Sequence, residues 1–175
     1  GAKGDTGARG PQGEPGPAGP ATAASIADGS ITPAKHGVVP SARVTKDSLQ
    51  APSGDTVASW NTQQFDTADL WNPSEPTKLT APIAGIYLVT AGAIRQQNSN
   101  AIPGLAIRVD GTITYAEQRP EPLTDTVDLP VQSISTIAPL DSGEYAELVF
   151  SGQAIDGFAN SKRTHLSMTW LGPKQ

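Results

Sequence analysis

The chain has 175 residues, of which 37% are hydrophobic and 5% aromatic, and a formal charge of -5. The acidic balance disfavours nucleic acid and anionic membranes as partners, and the lack of cysteine removes disulfides, thiolate metal sites and a cysteine nucleophile. No apolar run approaches the roughly 20 residues of a membrane-spanning helix.

The first element in chain order is a repeat. Glycine occupies Gly1, Gly4, Gly7, Gly10, Gly13, Gly16 and Gly19, and the register ends at Thr22. Only glycine fits the crowded axis of a collagen triple helix, so an unbroken Gly-X-Y run predicts three chains wound together. Pro11, Pro15, Pro17 and Pro20 pre-set the polyproline-II backbone that such a helix requires. At about 3 Å per residue the run makes a rod of roughly 60 Å. So short a rod needs a second trimerising element downstream. The chain opens on Gly1 within the repeat, which is expected of the end of a longer collagenous shaft. The expected organisation is a triple-helical stem over 1–21, an extended neck over 22–40 and a single domain over 41–175.

The neck is rich in Ala, Ser, Thr and Pro, with Asp28-Gly29 and Pro33 as turn signals. Beyond Ser41 short β-favouring runs alternate with turns, the pattern of an all-β sandwich. Lys78-Leu79-Thr80 precedes Pro82, and Gly85 opens the run Ile86 to Ala91. Leu105, Ile107 and Val109 alternate up to the hairpin signal Asp110-Gly111, and Ile113 and Tyr115 lie on the return strand. Val131 to Ile137 is a further strand, expected to stop before Pro139. Tyr145 to Phe150 follows, and Leu166, Met168 and Trp170 share one face of the last strand. The run after Gly85 is apolar on both faces, Ile86 and Leu88 on one and Tyr87 and Val89 on the other. A sandwich strand buries one face in its own core, so the second is expected to pack on a neighbouring subunit. Ile86, Tyr87, Leu88, Val89, Leu166, Met168 and Trp170 are therefore the expected core or trimer-interface residues.

A collagenous stem before a sandwich of this length resembles the complement component 1q-like globular head of the tumour-necrosis-factor-like jelly-roll superfamily. The residues that carry the likeness are Lys78-Leu79-Thr80-Ala81-Pro82 with Gly85-Ile86-Tyr87, the acidic turn Asp141-Ser142-Gly143-Glu144, and the terminal Leu166-Ser167-Met168-Thr169-Trp170-Leu171. The resemblance spans roughly Ser41 to Pro173. It departs from the family in Leu79, where an aromatic is usual, in the lack of cysteines, and in Gly172-Pro173 at the end. It implies a homotrimeric all-β jelly roll whose outer loops bind ligands. Some heads of this type hold calcium near the trimer axis, but the carboxylates Asp125, Asp128, Asp141, Glu144 and Glu147 match no calcium-loop spacing and are read as solvated surface charge. No cofactor and no metal ligand is assigned.

The chain has two histidines, His36 in the neck and His165 at the start of the last strand, and lacks a Gly-x-Ser-x-Gly elbow or His-x-x-x-His pair. The expectation is a protein without catalytic residues. Recognition is expected instead at turn-rich loops: Asn98 and Asn100, Arg119, and Asp156, Phe158 and Asn160. Only one of the seven third-position residues of the stem, Pro15, is proline, which suits a triple helix made without hydroxylation. The Asp28-Gly29-Ser30-Ile31-Thr32-Pro33 neck resembles connectors of phage tail fibres. The functional expectation is a phage tail or capsid fibre tip on a virion or cell exterior, binding a surface glycan or protein. The alternatives are a bacterial surface or spore-coat adhesin, and a trimerisation cap without a ligand.

Overall fold

The computed structural model describes Gly1, Gly4 and residues 37–96, 101–119, 121–122, 131–156 and 162–174. The chain divides into two compact units, Gly1–Gly37 and Val38–Gln175. Of the glycine register only Gly1 and Gly4 fall among the described residues; the rest of the expected stem and most of the neck lie outside them.

Among the described residues of the second unit every element is a strand. They are β1 (Ser41–Thr45), β2 (Thr56–Val57), β3 (Thr62–Asp66), β4 (Lys78–Thr80), β5 (Gly85–Arg95), β6 (Ala101–Ile102), β7 (Gly104–Val109), β8 (Ile113–Gln118), β9 (Glu121–Pro122), β10 (Val131–Leu140), β11 (Tyr145–Ser151), β12 (Ile155–Asp156) and β13 (His165–Gly172). One sheet runs β10-β5-β13-β1-β3, with β12 also on β5; the other runs β2-β11-β7-β8, with β4 also on β11. All the pairings are antiparallel. This is a two-sheet β-sandwich.

Alternation along each strand builds the core between the sheets. From the first sheet come Ala42, Val44, Tyr87, Val89, Ala91, Ala138, Leu140, Leu166 and Met168, and from the second Leu79, Leu105, Ile107, Val109, Leu148 and Phe150. Trp60 joins them at 1% exposure, and Trp71 and Trp170 pack on the cluster half-buried. The chain between β3 and β4 is organised by Asp66, whose carboxylate accepts from the amides of Ala68, Leu70 and Trp71, burying Leu70. At the β7–β8 hairpin Asp110 and Gly111 both take positive φ, 50° and 70°, as the Asp-Gly signal requires.

Two expectations need correcting. Pro139 does not end its strand, for β10 continues to Leu140 with Pro139 opposite Ile86. Among the described residues its only ladder neighbour is β5, and an edge strand tolerates a residue without an N–H. Glu147 is not a solvated surface charge. It is 6% exposed, and burial raises its carboxyl pKa against the opposing pull of Arg108 and Lys78, its partners in register.

Candidate functional site

The outward face of the first sheet is read by rows across the strands. Nearest the end where the chain enters β1, Pro139 lies opposite Ile86, and Ile86 opposite Gly172. The next row is Ile137, Leu88, Thr169 and Ser41, then Ser135, Thr90, Ser167, Arg43 and Phe65, then Ser133, Gly92, His165 and Thr45. The first rows are apolar: Ile137 is 59% exposed, Leu88 36%, and Leu171, at the bulge of β13, 52%. The later rows are mostly small hydroxyl residues. Phe65, 45% exposed, stands at the opposite edge of the sheet from Ile137.

The expected core or interface residues separate accordingly. Tyr87, Val89, Leu166 and Met168 point into the sandwich core, and Trp170 packs against it. Ile86 is half-buried and Leu88 exposed on the outward face.

Two basic side chains cross the hydroxyl rows. The Arg43 guanidinium donates to Ser167 Oγ at 3.5 Å and to the Lys162 carbonyl at 3.2 Å. The His165 ring lies over Gly92, where a Cβ would stand 2.7 Å from Cε1 and 2.9 Å from Nδ1. Glycine is what lets the imidazole sit against the sheet. His165 Nδ1 is 2.8 Å from the Arg163 carbonyl, an acceptor only, so Nδ1 carries the proton and Nε2 a lone pair. Burial lowers the His165 pKa; the Arg163 carbonyl opposes this and Arg43 adds to it.

At the far end of the sandwich from the chain entry, the described flanks of the expected recognition loops converge. β12 pairs with the end of β5, Ile155 opposite Arg95 and Asp156 opposite Ile94, and the Gln96 amide donates to the Ala154 carbonyl. β6 pairs with β9, joining 101–102 to 121–122. Arg119 follows β8 with Glu117 at 3.9 Å, and Asp156 is half-buried on β12. Asn98, Asn100, Phe158 and Asn160 lie outside the described residues. Arg95 is fully buried at this end of β5, and the buried Gln132 amide on β10 has no hydrogen-bond partner among the described residues.

The outward face of the second sheet carries a shallow groove lined by Asp55, Arg108, Thr114, Glu117, Gln118 and Arg119, among others. Arg108 is paired to Asp55 at 2.8 Å, and next to this groove Lys78 is paired to Glu75 at 2.8 Å with its ammonium 4.8 Å over the Tyr145 ring. Among the described residues no group of three histidines, aspartates or glutamates gathers in a way that could hold a metal. Asp141 is instead tied to Lys174, and its amide donates to Glu144 Oε2. Among the described residues the hydrogen bond of the His165 ring is made to the Arg163 carbonyl and not to a carboxylate.

The structure of an Eiger tumour-necrosis-factor protein from S. frugiperda superposes with a TM-score of 0.59, covering 79% of this chain and 96% of that one at 12% identity. The globular domain of zebrafish complement 1qA gives 0.57, covering 78% and 99%, also at 12% identity. The head is a tumour-necrosis-factor/complement 1q-type jelly roll. At this identity the likeness is one of fold. No family model and no curated protein matches the chain.

Sequence reasoning missed three features of this jelly roll: the closeness of the Arg43 charge on β1 to His165 on β13, the seat at Gly92, and the exposed Phe65. A histidine aligned with a glycine on the neighbouring strand is a signal only once the register is known.

Proposed function

We propose that the chain is a non-enzymatic homotrimeric fibre protein. Its collagen-like stem is the spacer, its jelly-roll head the trimerising unit, and the loops at the far end of the head its receptor-binding surface. The setting we propose is the tip of a phage tail or capsid fibre that attaches to a host envelope, outside the cell. One observation carries the reading: a strict glycine register precedes a jelly roll whose outward sheet face leaves Leu88 and Ile137 exposed side by side. A triple helix requires three chains, and an apolar sheet face requires a cover; a homotrimer answers both. Three weak sites on one stalk then gain avidity without any further contact.

The test is binding of the labelled full chain to bacterial cells, envelope polysaccharides and animal cells. Saturable binding to one bacterial envelope is expected, falling at least about tenfold when Asp156, Phe158 and Asn160 are changed to alanine, since the three copies lose avidity together. A folded trimer that binds none of these surfaces is a trimerisation cap, and the receptor-binding part of the proposal is then wrong.

A further inference from the structure

We propose that His165 and Arg43 make the assembly of the head acid-sensitive, with the trimer firm at neutral pH and loosened when His165 is protonated. The inference rests on the homotrimer proposed above, with the outward face of the β10-β5-β13-β1-β3 sheet as its subunit contact.

The geometry is specific about what the imidazole does. Its Nδ1 proton is committed to the Arg163 carbonyl, and its ring occupies the space a Cβ at position 92 would take. The remaining Nε2 is a hydrogen-bond acceptor in the neutral ring. Around it the same face presents hydroxyl groups, Thr45 opposite on β1 and Ser133, Ser135, Thr90 and Ser167 in the rows alongside. A second copy carrying the same hydroxyl rows supplies donors that suit a neutral acceptor. Protonation turns Nε2 into a donor and places a charge where the face already carries a guanidinium.

The charge that acts on His165 is cationic, the Arg43 guanidinium on β1. The segment leading into β13 contributes the Lys162 carbonyl, which accepts from Arg43, and the Arg163 carbonyl, which accepts from His165; β5 contributes Gly92, flanked by Thr90 and Ile94. The carboxylates near His165 in the register are Asp156 on β12, opposite Ile94 and so one row beyond Gly92, and Asp47, two residues beyond Thr45, the partner of His165 on β1. β3 adds Gln64, whose amide donates to Thr45 Oγ1. The direction of the His165 pKa agrees: burial and Arg43 both disfavour the charged ring. Covering this face with another subunit deepens the burial and brings the neighbours' guanidiniums closer.

The sign follows from proton linkage. A group that binds its proton less well in the assembled state favours assembly above its free pKa, and the advantage is lost as the pH falls below it. The window therefore opens below the ordinary histidine value of 6.5. Three such groups per trimer make the assembly constant fall by up to about a thousandfold per pH unit.

The experiment is sedimentation velocity of the full chain over a dilution series from about pH 8 to about pH 5, a range in which histidine is the main titrating side chain. Wild type is expected to be trimeric at the upper end and to dissociate below the window, while His165→Gln stays trimeric throughout. Arg43→Gln, which keeps side-chain donors, is expected to show a shallower dependence. A wild-type trimer that persists unchanged across the range overturns the inference but leaves the homotrimer standing, and so does a His165→Gln chain that dissociates just as wild type does. A chain that is monomeric at every pH overturns the homotrimer itself, and the acid response with it.

Discussion

Changing Leu88 and Ile137 together to aspartate is expected to leave a folded head that sediments as a monomer. The two residues are direct partners in the β5–β10 ladder and stand on the face away from the core. Neither supports the sandwich from inside, so circular dichroism and the thermal midpoint of the isolated chain should change little. In the proposed trimer each would be covered, and burial of a leucine or isoleucine contributes about 1.5–3 kcal/mol. Aspartate removes that gain and adds the desolvation of a carboxylate, so the penalty recurs at all three contacts. Thr114→Asp, at an exposed position of β8 on the other sheet, is the control and should remain trimeric. A double variant that keeps the wild-type mass places the subunit contact elsewhere.

Gly85→Ala is expected to destabilise the head by about 3 kcal/mol, at the upper end of what overpacking costs. A Cβ at this position would stand 2.0 Å from Trp170 Nε1, 2.5 Å from Cδ1 and 2.7 Å from the Gly172 carbonyl oxygen. The indole can yield only by leaving the core cluster and the Ala84 carbonyl, 3.4 Å from its Nε1. The Gly172 oxygen is backbone and gives less. Urea unfolding of the single variant checks the loss. The double variant Gly85→Ala with Trp170→Leu should cost clearly less than the two single changes added together, because the clash is removed with the ring. A Gly85→Ala head within about 0.5 kcal/mol of wild type, the range of an ordinary surface change, would mean that the close approach is not there.

The strands were legible wherever alternation and a turn signal agreed. Leu105, Ile107 and Val109 before Asp110-Gly111 are such a case, as are Leu166, Met168 and Trp170. Pro139 misled because the penalty for proline depends on whether the strand has neighbours on both sides, a property of the sheet rather than of the strand. Glu147 misled for a related reason. Its phase along β11 set its side away from the core, but the cover over it comes from Lys78 and Arg108 on two other strands.

The outward face was legible only in part. Apolar residues on both sides of β5 announced that it had a second surface to cover. Its rows, however, bring together residues as distant in the chain as Ser41 and Thr169, whose hydroxyls are 2.7 Å apart. No local pattern contains such a register. The His165 ring over Gly92 is invisible for the same reason, since it depends on which residue of β5 faces which residue of β13.

The measurement that tests the central claim most directly is the mass of the full chain in solution at neutral pH, by sedimentation equilibrium over a wide concentration range. A single species at three times the chain mass of 18.0 kDa is the predicted result. A chain that remains at its own mass at the highest concentration would contradict the homotrimer and, with it, the role proposed for the outward face.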